Sequence, residues 1–153
     1  MARLTDLPEP TRIRLTELEC PEFETAPWTQ GPPLNRRRVA IVSTAGLYQR
    51  GETPFQGGDA DFRRLPHDAP ADAVLMSHVS VNFDRTGWQR DPEVVLPRAG
   101  LDALAAAGEI GAAGANHYSF MGATDPKAMA EQAARVAAQL RAEGSDSAIL
   151  IPV

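Results

Sequence analysis

Short β-branched, apolar runs that end in small or turn-forming residues alternate along this chain with stretches whose apolar residues recur at helical spacing. That alternation confines it to α/β architectures. Val39-Ala40-Ile41-Val42-Ser43-Thr44-Ala45-Gly46 is the first run and reads as a buried parallel strand entering a loop. Leu47 to Gly58 is rich in Gly, Pro and polar residues and predicts a loop. Phe62 to Leu65 and Ala73 to Ser77 predict a second and a third strand, with a turn over Pro66 to Pro70 between them. Leu96, Leu101, Leu104 and Ala105 share one helical face, with Pro97 in the first turn and Gly108 able to close the helix in a left-handed conformation. Ile110 to Ala115 predicts a fourth strand, in which Gly111 and Gly114 imply close backbone approach. Asp125 as N-cap, Pro126 at the first helical position, then Met129, Ala133, Val136 and Leu140, predict an amphipathic helix ending before Gly144. Ala148 to Val153 has the composition of another buried strand. The expected fold class is α/β, an open, mostly parallel sheet with Rossmann-like layers and helices packed on it.

The prolines of residues 1–35 disfavour continuous helix or central strand, so this stretch predicts a Pro-rich N-terminal arm laid over one α/β domain of residues 36–153. Phe23, Trp28 and Leu34 are its candidate anchors, and a short helix around Thr11 to Leu18 fits within it. With 153 residues, 43% hydrophobic and 23% charged, the chain suits one folded domain. No stretch approaches the roughly 18 apolar residues of a membrane span, and Met1 to Asp6 has no apolar signal core, so a cytoplasmic protein off the membrane is expected. A net charge of −5 argues against nucleic acid as a partner. Arg36-Arg37-Arg38 reads as a solvated strand entry. Cys20 is the single cysteine, which excludes an intrachain disulfide, a CxxC motif and a cysteine-rich zinc cluster. Its neighbouring carboxylates disfavour thiolate, so it reads as inert.

Ligands of open α/β sheets bind beyond the carboxyl ends of the strands, so the residues following each run are the candidate site. They are Thr44 and Gly46 after the first strand, Ser77, His78, Asn82 and Asp84 after the third, and Asn116, His117, Tyr118 and Ser119 after the fourth. His78 and His117 are candidates for proton transfer near neutrality, with Asp84 to orient an imidazole. The same trio is the donor set of an open metal site, although no HExxH spacing supports one and no metal is assigned. Thr44, Gly46, Ser77, Asn82, Tyr118 and Ser119 are the candidate substrate contacts. His67, between Pro66 and Asp68, reads as an exposed turn residue. The glycines form neither GxGxxG nor GxxxxGK[ST] and the serines lack GxSxG, so neither nucleotide binding nor a serine hydrolase is indicated, and the cofactor is left unassigned.

Met76-Ser77-His78-Val79-Ser80-Val81-Asn82-Phe83-Asp84-Arg85 and Asn116-His117-Tyr118-Ser119-Phe120-Met121-Gly122 resemble the signature segments of the selenoprotein B family of glycine, sarcosine, betaine and D-proline reductases. Val39 to Gly46, Gly57-Gly58-Asp59-Ala60-Asp61 and Asp91 to Leu104 are also similar, so the resemblance covers about residues 35–153. It implies reductive cleavage of a carbon–nitrogen bond by a selenocysteine or cysteine with a second cysteine close by, just after the strand that corresponds to Ala148 to Val153. This short form lacks that pair. The expectation is a reductase-family protein that binds a small polar substrate in a His-containing pocket, the missing pair being explained by another activity, by a protein partner that supplies the thiol, or by a chain cut at that point. A non-catalytic binding or assembly subunit, pairing as a homo-oligomer, most simply a dimer, through its arm or last strand, is one alternative. A His/His/Asp metal enzyme is the other.

Overall fold

A computed structural model describes residues 3–19, 22–24, 26, 28–80 and 83–153. Cys20 and Asn82, named above, lie outside the described residues. The body is a mixed α/β fold around a five-stranded, mostly parallel sheet. Its central strand β1 (Arg38–Ser43) runs parallel to β7 (Ser147–Ile151) on one side, and to β5 (Ala112–Ala113) and β6 (Asn116–Ser119). Strand β3 (Arg63–Pro66) pairs antiparallel with β6, placing Leu65 opposite His117. Val39, Ala40 and Ile41 of β1 are buried, as the apolar run predicts.

Successive side chains of a strand point to opposite faces. Ile41 accordingly joins a core with Val39, Leu65 and Ile110, to which α3 (Arg98–Ala106) contributes Leu101. Val42 packs on a second core of Tyr118, Phe120 and Val136, the last from α4 (Ala130–Ala142). Both long helices stand where the apolar spacing puts them. Gly108 follows α3 with φ +72°, and the Asp125 side chain accepts from Lys127 N–H ahead of a 3-10 turn that leads into α4.

Four expectations change. Leu47 to Gly58 is not all loop, since β2 (Leu47–Gln49) pairs antiparallel with β4 (Val74–Met76) as a separate two-stranded sheet. The third expected strand therefore leaves the main sheet. The fourth splits into β5 and β6, with Gly114 pressed against Ala40, so Asn116, His117, Tyr118 and Ser119 form a strand and not the loop after one. A short helix, α2 (Thr86–Arg90), follows Asp84 without an apolar period to announce it. In the N-terminal segment, α1 (Glu9–Thr16) buries none of its residues. Phe23, Trp28 and Leu34 are exposed and do not anchor the segment to the body.

Candidate functional site

The carboxyl ends of β1, β6 and β7 meet the end of β4, and the sequence-predicted residues divide into two groups around that meeting point. The first group is contiguous. Thr44 N–H donates to the Ile151 carbonyl at 3.0 Å, and the Thr44 carbonyl accepts from Gly122 N–H at 2.9 Å. Val153 N–H donates to Thr44 Oγ1 at 2.8 Å. Gly46 N–H donates to the Phe120 carbonyl at 2.9 Å, while the Gly46 carbonyl accepts from Ser77 N–H at 3.0 Å. Gly46 has φ +65°, and a Cβ there would lie 3.1 Å from the His78 amide, so the turn that seats His78 requires glycine. Ser77 Oγ accepts from Phe55 N–H and Ser119 Oγ from Leu47 N–H, both at 2.8 Å. These two hydroxyls tie the adjoining loops to the strand ends.

His78 is the chemically distinctive member of this group. It is 3% exposed, with its ring 4.9 Å from that of Phe83. Ser80 N–H donates to Nδ1 at 3.2 Å, and the Arg85 guanidinium donates to the His78 carbonyl. Burial, and then the positive charge of Arg85, push the imidazole below its ordinary pKa, while the Val153 backbone acts in the opposite direction. A neutral ring whose Nδ1 accepts must carry its proton on Nε2. That Nε2–H is buried beside the Val153 backbone, the group that raises its pKa, yet makes no hydrogen bond of normal geometry. It is a donor held ready at the end of the sheet, where a general base would present a lone pair.

The second group lies around His117, which is fully buried on β6. Ile41 N–H donates to His117 Nδ1 at 3.1 Å. The proton is therefore on Nε2, which lies 2.9 Å from His67 Nδ1; His67 in turn must carry its proton on Nε2, 2.9 Å from Asp102 Oδ1. Burial, reinforced by His67 and Arg98, holds His117 down at about 4 against a smaller opposing effect of Asp102. His67 is thus a fixed link between β6 and α3, not a free turn residue. Arg98 strengthens the link by donating to the carbonyls of His67 and Ala69. No sequence motif signals this relay, because its members stand on three separate elements.

The partners of His78 and those of His117 do not overlap. Asp84 is exposed, accepts from Thr86 N–H at 2.9 Å, and is held below the ordinary carboxylate range by the Thr86 amide and hydroxyl. Among the described residues no three His, Cys, Asp or Glu side chains form a group able to hold a metal ion. Tyr118 points into the second core, donates to Glu143 Oε1 at 3.0 Å, and is pushed up to about 12 by burial and then by that carboxylate. A cleft of about 580 Å³, lined by Phe62, Arg63, Arg64, Arg135 and Glu143 among others, lies away from His78. Among the described residues no helix is long and apolar enough to cross a membrane.

Fold and site together define a mixed α/β protein whose sheet ends in a polar neighbourhood built around a buried histidine donor. Over 115 residues, 73% of its length, the chain is 31% identical to D-proline reductase subunit gamma of Acetoanaerobium sticklandii. The aligned stretch covers 47% of that subunit, so the chain spans about half the length of the relative it matches. The likeness supports a related reductase family. No family model matches the chain, and no solved structure does.

Proposed function

We propose that this chain belongs to a reductase-family protein of the selenoprotein B type, in which His78 Nε2–H holds a small polar substrate, or the thiol that attacks it, beside the end of β7. The observation that carries this reading is the buried Nε2 of His78, without a hydrogen bond of normal geometry and next to the Val153 backbone, at the carboxyl end of a mostly parallel sheet, where ligands of such sheets bind. A donor of this kind stabilises negative charge on a carboxylate or a thiolate in a site from which water is excluded. Reductive carbon–nitrogen cleavage oxidises two thiols to a disulfide as the amine leaves, and this chain has one cysteine, Cys20. The second thiol lies outside these residues; the reading assigns it to a thiol-bearing protein partner and includes a cytoplasmic setting. A Rossmann-like layering is part of it too, since the neighbours Ile41 and Val42 join different cores, one with α3 and one with α4.

The test is calorimetric binding of D-proline, glycine, sarcosine and betaine to the wild type and to His78→Ala, with circular dichroism as the control for folding. The reading expects one of these ligands to bind and the variant to lose at least about tenfold in affinity, a scale set by removing one buried donor. Equal binding by a folded variant would remove His78 from the account. The alternative of an assembly subunit is favoured by a different observation, the exposure of β7 and of the N-terminal segment.

A further inference from the structure

Strand β7 pairs with β1 from Ser147 to Ile151 and with no other described strand, so its outer row of amides and carbonyls has no ladder partner. Ala148, Ile149 and Leu150 are exposed, Leu150 to 73%. The strand carries no charge and no proline between Ser147 and Ile151, the usual devices that keep a free edge from pairing. The N-terminal segment is equally uncovered, with Phe23 74% and Trp28 79% exposed and Ile13, Leu15 and Leu34 also at the surface. The later part of this segment borders β7. Thr29 to Pro32, which follow Trp28 directly, line a cleft of about 540 Å³ together with Leu140 of α4 and Ser147 and Ala148 of β7.

We propose that this side is a two-fold interface with a second copy of the chain. The two β7 strands pair antiparallel, joining the two five-stranded sheets, and the Trp28 to Leu34 segment of each copy covers the partner's surface around Leu150. An isologous contact requires one patch that complements itself, and a free strand edge with an apolar segment beside it meets that requirement. The contact also sets no like charges face to face along the strands, because Ser147 to Ile151 carries none. Area is sufficient as well. Trp28, Leu34, Ile149 and Leu150, at on the order of 100 Å² each, supply about 800 Å² across two copies before the strand backbones and Thr29 to Pro33 are counted, against the roughly 1,200–2,000 Å² of a specific interface.

Sedimentation equilibrium of the full chain from about 1 to 100 µM tests the proposal, with Leu150→Lys and Trp28→Ala as variants. Both substitutions fall on exposed side chains, so far-UV circular dichroism should be unchanged. The expected result is a wild-type dimer, with dissociation strengthened at least about tenfold by Trp28→Ala and a monomer for Leu150→Lys. A wild type that stays monomeric throughout overturns the proposal, whether or not it binds a different protein. A dimer that both variants leave intact, or an open-ended assembly, overturns it too. None of these outcomes bears on ligand binding at His78.

Discussion

At the scale of single residues, the chain Ile41 N–H, His117, His67, Asp102 shows how one backbone donor fixes the protons of two side chains in series. His117 is neutral when folded, with its pKa held at about 4, and titrates near 6.5 once unfolded. Below pH 6.5 the unfolded state thus binds the extra proton. Stability attributable to His117 is complete above pH 6.5 and falls as the pH drops toward 4, by up to about 3 kcal/mol. Urea unfolding of wild type and His117→Phe at intervals from pH 7 to pH 4 should show a lower starting stability and a flatter decline in the variant. Parallel declines would contradict the assignment. The sequence marks His117 as noteworthy but gives no sign of its partners, because the Ile41 N–H that fixes its tautomer stands on another strand. His67 shows the same lesson in reverse, since a turn between Pro66 and Asp68 gives no hint of α3 reaching it through Asp102.

At the scale of elements, periodicity located what is periodic. The β1 run, α3, α4 and β7 all stand close to their expected spans, but β7, expected as a buried strand, is an edge strand that leaves Ala148, Ile149 and Leu150 exposed. The stretch from Ile110 to Ser119 was harder to read. Its strand begins with two glycines that reflect close backbone approach more than strand propensity, which displaced the expected strand from residues 116–119 to 110–115. Gly111 is the most demanding of these positions, since a Cβ there would lie 2.6 Å from the Arg36 carbonyl carbon. Gly111→Ala should therefore force β5 and the entry to β1 apart and cost about 1–3 kcal/mol. Thermal unfolding measures this directly, and an unchanged midpoint would show that the entry yields freely. The β2–β4 pairing was invisible for a different reason. Strands of three residues carry too little alternation to register, and their partnership is a long-range fact.

At the scale of the whole molecule, the sequence supplied the class of fold and the residues of the first group, while their arrangement came from topology. Thr44, Gly46, Ser77 and Ser119 do assemble at one end of the sheet with His78, but through backbone hydrogen bonds that no spacing encodes. His117 was expected to join them. Instead it sits on β6 with Ile41 and His67, because residues 116–119 are strand and alternate between faces. What remains at the end of the sheet is one imidazole whose proton position is dictated by the Ser80 amide. Nitrogen-15 NMR of the histidine side chains at pH 7, with and without D-proline, measures that proton directly. The account predicts that His78 is the neutral Nε2–H tautomer and that its Nε2 resonance shifts on ligand addition while His117 stays unmoved. An Nδ1–H tautomer at His78, or a His78 signal indifferent to a ligand that binds, would contradict it.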